Sequence, residues 1–324
     1  KPTEEELMEA CVLACQKAVE AGLTSVHWII DSPTEIGVIQ RLRAQNKLPL
    51  RVYILIPVEF LDDLIKLDFH TGFGDNMVKI GCIKILADGS LGARTAALNQ
   101  PYSDQTQTKG MLLYTSEELN RLVITAHKAD FQLAIHAIGD HAVEIVVNAL
   151  EEALSKVPRK NHRHRIEHAS VLNEKTIRQM RKLDLTASVQ PHFVVSDFWV
   201  SERVGKERAR WVYPFKTLMK EGVVVAGGSD CPVEPINPLL GIQAAVARRV
   251  FPEERISVDE ALRVYTINAA YASFEDDVKG SIEAGKLADL VVLPENPLTV
   301  KPDKIRDIEV KMTVVGGKIV YAGS

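Results

Sequence analysis

Apolar positions along this chain follow two alternating periods. Short runs rich in β-branched residues at 24–30, 51–56, 78–86, 132–136, 165–168, 186–190 and 223–228 read as strands, since they are bounded by polar or turn-forming residues and too short for buried helices. Between them lie stretches with helical spacing. The first opens with the capping box Thr3-Glu4-Glu5-Glu6 and closes near Gly22. Others cover 36–45, 116–129 behind a Ser116 cap, 141–154, a stretch from the Asn173 cap to Leu183, and one from Ser257-Val258-Asp259-Glu260 to about Tyr271. In a capping box the first side chain accepts from a free backbone N–H of the first turn, and the acidic residue returns the bond.

Strand and helix alternate, which predicts a parallel sheet covered by helices. The choice is between an open doubly wound sheet and a closed barrel. No glycine-rich phosphate loop follows the first strand, so the nucleotide-binding version has no support. After Phe274 the pattern changes. Residues 279–282 and 289–293 read as short strands, and 310–315 with 318–321 as a hairpin about Gly316-Gly317. This predicts two units, 1–273 and 274–324, the second a small β domain.

Composition narrows the class. Hydrophobic residues make up 46% and charged residues 25%, and the net charge of −4 gives no basic footprint for nucleic acid. The most basic stretch, 159–165, reads as a solvated loop entering a strand. The cysteines Cys11, Cys15, Cys82 and Cys231 form no CxxC pair, which fits a reducing compartment and argues against a zinc ribbon. No apolar run has the length of a membrane span. The expectation is a cytoplasmic protein that engages neither membrane nor nucleic acid and can form a homo-oligomer; a removed signal segment ahead of Lys1 stays open.

In barrel enzymes chemistry gathers where strands end. Lys84 shares a strand face with Ile80 and Cys82, where a lysine is rare unless paired or modified; the plainer reading is a head group reaching solvent. His136 and His168 each end a strand, and each alone could be a hydrogen-bonded core histidine. Asp230 follows the run 223–228 and could equally cap the next turn. Taken together, a lysine, two imidazoles and a carboxylate at the ends of parallel strands point to a divalent metal, zinc or a similar ion.

The segments Lys84-Ile85-Leu86-Ala87-Asp88-Gly89-Ser90, Ile135-His136-Ala137-Ile138-Gly139-Asp140, Arg165-Ile166-Glu167-His168-Ala169, Gly228-Ser229-Asp230-Cys231-Pro232 and Lys279-Gly280-Ser281-Ile282-Glu283-Ala284-Gly285 together resemble the amidohydrolase superfamily. The likeness is to its amidohydrolase 3 branch, which includes N-substituted formamide deformylase-like proteins. It implies a (β/α)8 TIM-type barrel with a small β-sandwich completed by the C-terminus. It gives Lys84 the place of a carboxylated lysine after the fourth barrel strand, His136 and His168 those of metal ligands after the fifth and sixth, and Asp230 that of the metal-bound aspartate that handles protons. The family's His-x-His pair on the first barrel strand has no counterpart here, so the first strand is expected to be missing, as in part of a longer enzyme. His162 and His164 do form His-x-His, but ahead of the expected sixth strand, and are read as surface residues. At the expected second strand, His27 is followed by Trp28 where the family often has Val-His-Asp.

The reaction so implied is metal-dependent hydrolysis of a carbon–nitrogen bond in a small amide-like molecule, with one or two metal ions in the whole enzyme. Arg94, Gln190 and His192 are candidates for substrate contact. The alternatives are a mononuclear deaminase in which Lys84 stays unmodified, and a non-catalytic regulatory or binding member.

Overall fold

The computed structural model describes residues 3–323. Seven parallel strands form one sheet in sequence order: β1 (Ser25–Ile29), β2 (Arg51–Pro57), β3 (Val78–Leu86), β4 (Gln132–Ala137), β5 (Arg165–His168), β6 (Thr186–Val189) and β7 (Val224–Gly227). Helices connect them, as parallel pairing requires. Glu4–Glu20, Ser116–Lys128 and Val258–Tyr265 open on complete capping boxes, set by Thr3, Thr115 and Ser257. The helices Leu61–Lys66, Val200–Ala209, Phe215–Lys220 and Pro238–Ala247 were not legible in the apolar pattern. Pro238–Ala247 is apolar nearly all round, so no stripe marks it.

The sheet is curled. Nη1 of Arg165 on β5 lies 2.8 Å from Nδ1 of His27 on β1. Strands four places apart in a flat sheet would be separated by roughly 19 Å at about 4.8 Å per strand, so the two ends must bend toward each other. Alternation sorts the strand residues into two environments. Ile54, Ile56, Ile83, Ile85, Leu133 and Ile135 join the main core beneath the helices. Tyr53, Leu55, Cys82 and Ala134 form a separate buried cluster inside the curl. Within it, Gln132 Oε1 accepts from the Tyr53 hydroxyl at 2.7 Å. Both faces are therefore dry, which accounts for the nearly continuous apolar character of β2.

A second, antiparallel sheet contains β8 (Leu290–Val292), β9 (Met312–Val315) and β10 (Lys318–Ala322). The hairpin about Gly316-Gly317 is present, with both glycines at positive φ. The strand expected at 279–282 is not formed. Gly280 takes φ +90, and Lys279 instead turns its amine to Ser25 Oγ at 2.9 Å and to Glu275 at 2.6 Å. Arg51 at the start of β2 makes two bonds to Asp289, 2.6 and 2.8 Å, which tether this segment to the N-terminal end of the parallel strands. Among the described residues no helix is long and apolar enough to cross a membrane.

Candidate metal centre

Lys84, His136 and His168 stand at the C-terminal ends of β3, β4 and β5, and Asp230 follows β7. Register places them side by side: Lys84 pairs with Ala134, Leu86 with His136, and Ala137 with His168. The two imidazole centroids are 4.5 Å apart, nearly edge to face. Lys84 is buried and faces the carboxylates of Glu167 and Asp230. Asp230 in turn faces Lys84 and His136.

Local backbone helps to bring them together. His168, Ala169 and Asp230 all adopt left-handed φ, +73, +45 and +55. Non-glycine residues there cost of order 1–3 kcal/mol each, and such strain tends to be held at functional sites. The turn at His168 takes its ring out of the strand alternation that gives Arg165 and Glu167 their common face.

The hydrogen bonds fix both tautomers. Nδ1 of His168 donates to Gln190 Oε1 at 2.7 Å, which leaves the lone pair on Nε2. Nε2 of His136 donates to the carbonyl of Gly89 at 2.9 Å, which leaves the lone pair on Nδ1. Asp88 lies 3.3 Å from that same Nε2 and is anchored by the backbone amides of Ala97, Ile138 and Gly139 at 2.8, 3.0 and 2.9 Å. Burial, reinforced by His136 and Lys84, holds His168 well below the ordinary histidine range, so it stays neutral. Burial also lowers Lys84, against the pull of Glu167 and Asp230, and raises Asp230, against Lys84 and His136.

This donor set fits a divalent cation: two imidazoles, each with one ring nitrogen bonded to a protein acceptor and the other left over, a carboxylate, and a buried amine. Among the described residues no three His, Cys, Asp or Glu side chains are grouped to hold a metal. The fit therefore depends on Lys84 as a donor beside the two histidines.

The other candidates carry protein partners. Arg94 pairs with Asp104 at 3.1 and 2.8 Å. Gln190 is buried and orients His168. His192 binds Glu234 through Nδ1. Sequence reasoning missed Arg165 and Glu167, buried two residues apart and bonded at 2.8 Å. Burial pushes the Glu167 carboxyl up, yet Arg165 and Lys84 prevail and hold it at about 2. The i, i+2 spacing of opposite charges on a strand was the available signal. The stretch 159–165 is accordingly not a solvated loop: Arg165 is in the interior, and Arg163 lies 3.9 Å above the Tyr271 ring.

His162 and His164 are likewise not surface residues. Both are buried at the N-terminal approach to β5, away from the strand ends that carry Lys84 and His136. Nε2 of His164 bonds Nδ1 of His127 at 2.9 Å, and the Leu133 amide donates to Nδ1 of His164 at 3.0 Å. His162 reaches the Leu183 carbonyl at 2.9 Å. These backbone partners let the imidazoles replace solvent at the bottom of the sheet.

Comparison with known proteins places the chain in a family. The amidohydrolase family profile matches residues 1–321. YtcJ of Bacillus subtilis, which carries the amidohydrolase name, is 37% identical over 332 residues, covering 98% of this chain and 61% of that protein. N-substituted formamide deformylase of Arthrobacter pascens is 30% identical over 256 residues, 76% of this chain and 46% of that one. The crystal structure of an uncharacterized metal-dependent hydrolase from Pyrococcus furiosus superposes with TM-score 0.85 at 34% identity, over 92% of this chain and 62% of that chain. This chain thus spans about half to three fifths of the length of these relatives.

Proposed function

Since this chain belongs to the amidohydrolase family, we propose that it supplies the metal-binding strands of a hydrolase that adds water across a carbon–nitrogen bond of a small amide-like molecule. The observation that carries the reading is the meeting of His136 and His168, 4.5 Å apart with complementary tautomers, beside the buried Lys84. We also read the curled sheet as seven strands of an eight-strand barrel, and residues 274–324 as part of a β-sandwich beside it.

Lys84, His136, His168 and Asp230 would hold the cation, for which zinc suits the imidazole and oxygen donors. A bound divalent ion lowers the pKa of water from about 15.7 to about 7 and polarises a carbonyl. Lys84 serves best as its carbamate: the amine nitrogen adds to CO₂, releases a proton and becomes an anionic oxygen donor. Asp230 takes the proton of the attacking water and returns it to the departing nitrogen, which is general acid–base work. Glu167 and Arg165 hold Lys84 in a fixed electrostatic setting from below. The Gly89 carbonyl, with Asp88 beside it, and Gln190 each hold one nitrogen of an imidazole and leave the other available, as partners of metal-binding histidines commonly do.

Assay of the zinc-loaded protein against a panel of simple amides tests the reading. Hydrolysis should appear and fall roughly 10²–10⁴-fold in Asp230→Asn. Hydrolysis unaffected by that substitution would overturn the assignment.

A further inference from the structure

Two segments leave the strand ends beside the candidate ligands, and each touches one of the two histidines. Residues 87–115 follow β3, and the Gly89 carbonyl among them holds His136. The other segment follows β6. Its Phe193 ring lies over the His168 ring, 6.3 Å between centroids and within 21° of parallel. In the sheet, β4 and β5 with their histidines stand between β3 and β6.

Farther along the chain the two segments are joined. Asp104 accepts from Arg94 of its own segment and from Arg203 of the helix Val200–Ala209. Arg203 also reaches the Gly92 carbonyl at 3.3 Å, and its own carbonyl accepts the Ser103 amide at 2.8 Å. Arg208 donates to the carbonyls of Gln100 and Pro101 at 2.9 and 2.7 Å. The helix is broken at Gly205, with φ +77, and a Cβ there would lie 2.5 Å from Ser103 Oγ. Glycine thus permits both the turn and the close approach.

This clasp is specific, yet its closed state is not overdetermined. The side chains of Arg94, Asp104 and Arg203 are 30, 23 and 18% exposed, and ion pairs open to water contribute little. Nε of Arg203 is buried and bonds nothing among the described residues, a penalty that opening relieves. Phe198, between Phe193 and the clasp, is 80% exposed and so does little to pin the segment. His168, beneath Phe193, is buried. A segment with few buried apolar anchors is one that opens ahead of the core.

We propose that residues 193–204 form a lid over His168, held shut by Asp104 through Arg203 and opening as a unit when that pair parts. Lids of this kind admit a ligand and then exclude water from it. The inference rests on the metal-site reading for what the lid guards, while its motion is open to test without that reading.

Hydrogen exchange reads the clasp at the Ser103 amide. That amide should be protected in the unsubstituted protein and exchange at least about tenfold faster in Asp104→Asn, since a bond to a charged group is lost. Asp104→Glu should restore most of the protection. The Ile138 amide, held by Asp88, should not change, which separates opening of the lid from loss of the fold. Access is read by diethyl pyrocarbonate, which acylates an unprotonated imidazole, with mass spectrometry of the whole chain kept free of metal. Acylation of His168 should quicken in Asp104→Asn by a factor similar to that at Ser103, and acylation of the exposed His70 should not. Arg203→Gln should act as Asp104→Asn does, and replaces it if that variant does not fold. A Ser103 amide unprotected in the unsubstituted protein, or unchanged in both variants, overturns the clasp. Constant acylation of His168 while Ser103 exchange quickens overturns the lid. Neither readout uses bound metal or turnover, so a protein that binds no metal counts against the hydrolase reading and leaves both measurements to decide the lid.

Discussion

Arg165 on β5 and His27 on β1 meet at 2.8 Å through Nη1 and Nδ1, joining strands four places apart in the sheet. The same guanidinium bonds Glu167 through Nε at 2.8 Å. One buried cation therefore both marks the curl and neutralises the carboxylate beneath Lys84. Removing it as Arg165→Met leaves Glu167 buried with the Ser188 hydroxyl and a lysine it does not bond. A broken buried pair typically costs 3–5 kcal/mol, so urea unfolding should show a loss of about that size. The double change Arg165→Met with Glu167→Leu should recover part of it. A single substitution that costs nothing would mean the pair does not hold the sheet in its curl.

Gln190 is set to act on metal through His168. Gln190→Leu keeps the side-chain volume but removes the acceptor that holds His168 Nδ1–H. Metal affinity should weaken roughly 10–100-fold, read by competition with a chelating dye, while the urea midpoint moves little. Unchanged affinity would show that the tautomer is set elsewhere.

The histidine group under the sheet predicts acid lability. Burial lowers His127, His162 and His164, with Arg159 adding to the effect on each. Asp130 and Asp184 oppose it weakly from the loops, at His127 and His162 respectively. Protonating His164 at Nδ1 would also set a new N–H against the Leu133 amide. The folded pKa lies below the unfolded value of about 6.5, so the unfolded chain binds more protons in between. The stabilisation is whole above about pH 6.5 and shrinks as pH falls from there, by up to about 1.4 kcal/mol per unit for each histidine. Urea midpoints at pH 7 and pH 5 should drop accordingly, and less steeply in His127→Gln. A midpoint that holds or rises on acidification would refute this.

Gly139 lets the loop carrying Asp88 close on the helix Asp140–Lys156. A Cβ there would lie 2.0 Å from the Ala97 carbonyl oxygen. Gly139→Ala should cost about 1–3 kcal/mol, and by shifting Asp88 it should weaken metal binding as well. Thermal unfolding and the dye competition read the two effects separately.

Which parts were legible follows from the range of the interactions. β3 and β5 stand at the residues their patterns marked, since both are bounded by local signals. The capping boxes at Thr3 and Ser257 are local too, while the helix expected to start behind a Ser116 cap is capped one residue earlier, by Thr115 with Glu118. Lys84, His136, His168 and Asp230 could be singled out because each ends a strand, and strand ends can be counted along a chain. Arg165–His27 spans 138 residues and Gln190–His168 spans 22, and no periodicity encodes such pairings. His162 and His164 look like loop residues because their partners, the Leu183 carbonyl for His162 and His127 with the Leu133 amide for His164, come from elsewhere in the chain. Gln190 reads as a free polar side chain until its partner is known.

The central claim is that Lys84, His136, His168 and Asp230 form one metal site. Its most direct test is elemental analysis of the purified, metal-loaded protein together with His136→Ala and His168→Ala, each checked for an intact fold by circular dichroism. With Lys84 as the donor beside the two histidines, one ion is the expected load. The account predicts about one equivalent of divalent metal per chain, falling to background in both folded variants. No bound metal in the unsubstituted protein, or a full equivalent retained in either variant, would contradict it.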